Sequence, residues 1–220
     1  MLNKDFEKYL TKHHKISSTF LDSYRMKSNS THHIIDDSSD GIMVDIFSKL
    51  ITNRIIFLST EMESDTCNII KAQLLYLEQM DADKDIKIYI DSPGGSVYSG
   101  LGLLDTMEYI KPEIVTINTG LAASMAAVLL CCGSKGKRKA LKRSRTMIHQ
   151  PLGYLGFAQA SDFEIDAKEI NSLKKELYQI ISERTERNYG QVEKDSDRDY
   201  WMTAEEALNY GMIDEIVKRK

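Results

Sequence analysis

Residues 86–117 read IKIYIDSPGGSVYSGLGLLDTMEYIKPEIVTI, and this stretch decides the fold class. Ile86, Ile88 and Ile90 alternate with Lys87 and Tyr89, as in a strand with two unlike faces. Val97, Leu101, Leu104 and Met107 then recur at three- and four-residue steps, the spacing of one helix face. A second strand follows at Ile114, Val115, Thr116 and Ile117. Strand, helix, strand implies a right-handed crossover between parallel neighbours, so the chain is α/β.

The same alternation extends outward. Residues 54–58 (RIIFL) read as an earlier strand, and Cys67, Ile70, Leu74 and Leu77 place a helix between it and Ile86. A largely parallel sheet covered on both faces is expected. In such sheets ligands gather at the carboxyl ends of strands, which directs attention to the segments after Ile90, Ile117 and Ile148. Further on, Ser161 and Glu164 stand at capping-box spacing. They precede a stripe of Ile170, Leu173, Leu177, Ile180 and Ile181 that runs to about Asn188, where Tyr189 and Gly190 end it. At ~1.5 Å per residue such a helix is roughly 40 Å long, more than a small body covers. It is expected to project and to meet another copy of the chain, the alternative being a helix folded back over its own sheet.

At 220 residues the chain suits one domain, and 42% hydrophobic with 28% charged residues is the balance of a globular protein. Residues 1–44 are polar, include SNSTHHIIDDSSDG, and are expected to form a flexible or partner-ordered arm. The body is expected to span 45–220. A net charge of −4 argues against a dedicated nucleic-acid binder. Seven of the eleven residues 135–145 are Lys or Arg, but the run is short and adjoins a strand, so it is expected to be a solvated edge or turn. Cys67, Cys131 and Cys132 offer neither a disulfide framework nor zinc-site spacing, which suits a reducing compartment such as the cytoplasm. The amino terminus has no signal-type segment, and the apolar run 121–132, interrupted by Ser124, is too short to span a bilayer.

Three segments carry chemistry. Asp91-Ser92-Pro93-Gly94-Gly95 follows a strand, and its glycines permit close backbone approach. In 120–127 (GLAASMAA) small residues surround Ser124 where a strand yields to a helix, and the Met125 amide would stand at that helix's start. Taken singly, Ser124 reads as an N-cap or a small packing residue. His149 ends another apolar run, whereas His13, His14, His32 and His33 lie in the arm as adjacent pairs, a poor metal site. A serine hydroxyl needs a base to become a nucleophile, imidazole is suited to the task, and a carboxylate would fix its tautomer. Sequence chemistry does not choose that carboxylate among 33 acidic residues.

The runs SPGGSVYSG, GLAASMAA and MIHQPLG, with His149 following Ser124 by 25 positions, resemble the ClpP family of ATP-dependent protease subunits across about 45–217. The resemblance implies a ClpP/crotonase-type spiral of β-α-β units with a projecting handle at about 150–190. It implies Ser124 as nucleophile, His149 as general base and acid, and Asp199, within 195–201, as the orienting carboxylate. It places oxyanion donors at the amides of Gly95 and Met125, and an extended peptide against Gly94, Ser96, Val97, Leu152 and Gly153. Arg198, Asp162 and Gln159 resemble contacts between rings, and Leu75, Tyr89 and Tyr109 an apolar docking groove. For those last three, ordinary core packing is the competing reading. The implied assembly is two stacked heptamers fed with unfolded polypeptide by an AAA+ unfoldase of the ClpX, ClpA or ClpC type. No metal or cofactor is expected in this subunit, nor a nucleic-acid or membrane partner.

Two alternatives compete. A crotonase-type acyl-CoA enzyme would hold an oxyanion without needing Ser, His and Asp together, and a catalytically silent ring subunit would have lost part of the set. The sequence departs from the family pattern at Asp91, where Asn is usual, at Ser59, at Lys87 and at Tyr154.

Overall fold

In the computed structural model, which describes residues 12, 33–36, 42–153 and 159–218, alternation organises the body as the apolar spacing requires. A short hairpin, β1 (His33–Asp36) with β2 (Ile42–Asp45), precedes α1 (Ile46–Thr52) and β3 (Ile55–Leu58). Helix α2 (Ser64–Met80) leads to β4 (Ile86–Ser92), α3 (Val97–Tyr109) to β5 (Ile114–Ala123), and α4 (Met125–Cys131) to β6 (Arg138–Leu141) and β7 (Arg145–Ile148). Then come α5 (Ala160–Thr185), α6 (Tyr189–Asp195), β8 (Tyr200–Thr203), α7 (Ala204–Tyr210) and β9 (Glu215–Val217).

Strands β3, β4, β5, β6 and β9 are parallel neighbours in that order. Strand β5 serves two partners in turn: Thr116, Ile117 and Asn118 pair with β6, while Leu121, Ala122 and Ala123 pair with β7. The sheet therefore turns as it passes this strand, which makes the α/β body a spiral of the expected type. The first five residues of β5 are all buried, and Ile56, Leu58, Leu74, Ile86, Ile90 and Leu129 centre the core between sheet and helices.

Some expectations need correction. The sheet is not covered on both faces throughout: in β3 and β4 the residues Phe57 and Lys87 are exposed and Tyr89 is half-buried, because α2 and α3 pack on one side only. The long helix is capped by Gln159 and Asp162, not by Ser161 and Glu164; the Asp162 carboxylate accepts from the Gln159 N–H at 3.1 Å. It ends at Thr185 with Glu186 in the left-handed region, and Tyr189 begins the next helix rather than closing this one. Residues 160–169 of α5 are exposed while Leu173, Leu177, Tyr178 and Ile181 are buried. The helix thus projects over its first half and folds back over its second.

The basic run is also more than a solvated edge. Arg138 is buried and donates to both carboxylate oxygens of Asp214, and to the carbonyls of Cys131, Arg184 and Gly211. Within the segment expected to be an arm, β1 and β2 make backbone pairing that its polar composition does not announce.

Candidate active site

Two ladders bring distant residues together. Ala123 of β5 stands opposite Met147 of β7, so Ser124 emerges beside the end of β7, and the Ser124 N–H donates to the Met147 carbonyl at 2.8 Å. Strand β7 pairs antiparallel with β8, with Ile148 opposite Tyr200. One step beyond that pair lie His149 and Asp199, facing each other by register alone. The Gln150 side chain donates to the Asp197 carbonyl at 2.8 Å and ties the two loops just past the ladder.

His149 Nε2 lies 2.8 Å from Ser124 Oγ, and Nδ1 lies 3.3 Å from Asp199 Oδ1. A carboxylate at Nδ1 keeps the proton there, so Nε2 carries the lone pair that accepts from the serine hydroxyl. Ser124 precedes α4, yet its side chain makes no capping bond; the hydroxyl is committed to the imidazole instead. Its backbone is at φ 55° and ψ −126°, a conformation sparsely populated by L-residues that costs on the order of 1–3 kcal/mol. The strain turns the hydroxyl out of the strand-to-helix corner.

The oxyanion candidates flank this corner. Gly94, at φ 95°, approaches so closely that a Cβ would lie 2.7 Å from Ser124 Cβ and 2.6 Å from the Ala123 carbonyl oxygen. Gly95, at φ 149°, lies against Met62, where a Cβ would meet backbone at 2.7 Å. Met62 accepts from Ser96 N–H at 2.9 Å and donates to the Gly94 carbonyl at 2.7 Å, clamping the turn on both sides. Met125 opens α4, so its amide has no carbonyl one turn behind to take it. Asp91 is explained locally: its carboxylate accepts from the Leu121 N–H at 2.9 Å and pins the turn to β5.

A cleft of about 620 Å³ opens against Ser124 and His149. Gly95, Ser96, Val97, Leu152 and Gly153, which the resemblance set along an extended peptide, line it, and Leu152 is 83% exposed. Gly94 does not line it: it is buried beneath Ser124, a spacer rather than a contact. Tyr154 lies outside the described residues. Glu61, Tyr98, Asp166 and Glu169 also line the cleft and were not singled out from sequence, and Ile170, read there only as part of the apolar stripe, lines it too. Asp166, Ile170 and Leu173 share one face at helical spacing, a signal that reading the stripe for apolar residues alone passes over.

A family model for Clp protease matches residues 38–220, and a curated relative from Porphyromonas gingivalis, "ATP-dependent Clp protease proteolytic subunit", is 54% identical over 98% of both chains. The chain belongs to the Clp protease family. A relative of the same name from Bacteroides fragilis is 52% identical over 98% of this chain and 99% of its own. "ATP-dependent Clp protease proteolytic subunit 2" of Synechococcus sp. is 50% identical over 85% of this chain and 95% of its own. Membership carries serine-type endopeptidase activity, and nothing favours an acyl-CoA enzyme or a silent ring subunit.

The residues that the Clp protease resemblance assigned to surfaces fall in different settings. Tyr109 is 81% exposed at the end of α3, and Tyr89 stacks on Phe57 with ring centroids 5.3 Å apart, so neither is ordinary core. Leu75 is partly buried and packs against the core. Gln159 and Asp162 are engaged with each other, and Arg198 is exposed with no ion pair to a described residue. Among the described residues no helix is long and apolar enough to cross a membrane, and no group of three His, Cys, Asp or Glu is arranged to hold a metal ion.

Proposed function

We propose that this chain cuts unfolded polypeptides with Ser124 as nucleophile, His149 as proton carrier and Asp199 as the group that orients the imidazole. The observation that carries this is the 2.8 Å approach of His149 Nε2 to Ser124 Oγ, with Asp199 on the opposite nitrogen. As Ser124 Oγ attacks the scissile carbonyl carbon, its proton passes to Nε2. The carbonyl oxygen becomes an oxyanion facing the amides of Gly95 and Met125, donors worth about 100-fold or more in rate each. Nε2 then protonates the leaving amine, the C–N bond breaks, and an acyl-serine remains. Water attacks this ester through the same imidazole and frees Ser124.

The peptide lies extended between residues 95–98 and 151–153, its main chain supplying the pairing and hence broad sequence tolerance. The working particle is two stacked heptamers in the cytoplasm, fed by an AAA+ unfoldase that docks near Tyr89 and Tyr109. The segment before residue 45 is an arm added to a single peptidase domain. The subunit uses no cofactor, ATP being consumed by its partner.

A fluorophosphonate probe tests the assignment. Wild-type protein is expected to label and Ser124→Ala to remain unlabelled while keeping its assembly. Equal labelling of both would remove Ser124 from its role.

A further inference from the structure

The cleft beside Ser124 is apolar along its walls and negative at its rim. Glu61, Asp166 and Glu169 line it, and among the described residues no Lys or Arg does. None of the three carboxylates is in an ion pair with a described residue. Residues 154–158, between the cleft loop and α5, read YLGFA and carry no charge of either sign.

The arrangement is graded along α5. Ile170 and Leu173 offer apolar surface to the cleft, and Asp166 and Glu169 add carboxylates one turn nearer the helix start. Gly153 seats directly on Ile170, where a Cβ would come within 2.2 Å of Cδ1, so loop and helix form one continuous wall. Across the opening, the Tyr98 hydroxyl donates to Glu169 Oε1 at 3.1 Å, leaving the phenol ring on the cleft. That bond, together with burial and the charge of Asp166, holds the Tyr98 phenol above its ordinary value.

A Lys or Arg side chain has the complementary gradient. Its methylene stem suits apolar wall, its head suits carboxylates, and an aromatic ring attracts the cation. An Asp or Glu in the same place meets negative charge that no described cation offsets. We propose that Glu61, Asp166 and Glu169 make this cleft favour peptides with a Lys or Arg beside the scissile bond over peptides with an Asp or Glu there. The selection rests on the peptidase reading above and adds a charge preference to it.

Matched fluorogenic peptides differing only at the two positions flanking the cleaved bond, with Lys, Met or Glu at each in turn, test this on the full-length assembled protein. At low salt, kcat/KM for the Lys peptide is expected to exceed that for the Glu peptide by about tenfold at one position, with Met between. That is the scale of weak attraction at screened carboxylates added to equal repulsion. The ratio is expected to shrink as salt shortens the screening length to about 10 Å and below. In the triple variant Glu61→Gln, Asp166→Asn, Glu169→Gln the ratio is expected to fall to within about twofold, whatever the variant's overall rate. Single variants Asp166→Asn and Glu169→Gln give the same reading if the triple does not assemble. A wild-type ratio near one, or one that survives both salt and substitution, overturns the charge selection alone. Failure to cut the Met peptide overturns the peptidase reading and this inference with it.

Discussion

Ser124 is held where it is by the absence of a side chain at its neighbour. Gly94 occupies φ 95° and leaves no room for a methyl group against Ser124 Cβ. Gly94→Ala is expected to displace the serine corner, lowering peptidase activity at least about tenfold and destabilising the fold by about 1–3 kcal/mol. A peptidase assay and a thermal melt on the same sample check both, and full activity would show that the corner yields without harm. In the proposed triad Asp199 acts through the imidazole, 3.3 Å from its Nδ1, rather than on the substrate. Asp199→Asn is expected to lower kcat by about three to four orders of magnitude, because an amide can present its donor to Nδ1 and stabilise the wrong tautomer. KM is expected to stay within about twofold, since the residue does not line the cleft. A larger change in KM than in kcat would assign Asp199 to substrate binding.

At the scale of elements, the His149–Asp199 pairing belongs to the β7–β8 ladder, and the ladder depends on how the carboxyl-terminal segment is anchored. Arg138 supplies that anchor, joining β6, the end of α4, the end of α5 and the turn before β9 through Asp214 and three carbonyls. Burial alone would raise the Asp214 carboxyl, but the hydrogen bonds and charge of Arg138 outweigh it and hold the group below its ordinary value. The stabilisation is therefore complete above the unfolded carboxylate value of about 3.9, and is lost as pH falls from there through the lower folded value. Asp214→Asn is expected to lower stability by about 3–5 kcal/mol at neutral pH, because it leaves Arg138 buried without its counter-charge. It is also expected to flatten the acid limb of the stability curve, measured by denaturant melts from pH 3 to 7. A parallel downward shift at every pH would mean that this carboxylate does not carry the dependence.

At the scale of the whole molecule, the chain leaves apolar surface that one copy does not cover. Phe163 and Ile165 stand exposed on the free half of α5, and Ile165 is 65% accessible. Such residues on a projecting helix fit the contact between rings proposed above. In the proposed double-ring particle, Ile165→Asp is expected to give single rings in sedimentation velocity, and an unchanged double ring would place the contact elsewhere. Elsewhere, Phe47, Phe57 and Tyr89 form an aromatic row with centroids 5.8 and 5.3 Å apart. This row lies on the sheet face that α2 and α3 leave open.

The alternating apolar spacing from residue 54 to 117 sufficed by itself for the α/β class, because burial on one face of a strand or helix writes its period directly into the chain. Ser124 and His149 were legible for a related reason: each follows a strand, and strand ends in such a sheet share one edge. The rest was decided only by folding. Residue chemistry alone does not distinguish Asp199 from the other acids and only the family resemblance pointed to it; the antiparallel register that places Tyr200 opposite Ile148 is what brings it to His149. The double use of β5, the burial of Arg138 inside a basic run, and the carboxylates that α5 brings to the cleft are likewise products of long-range pairing, whose energy depends on partners that no local window of sequence contains.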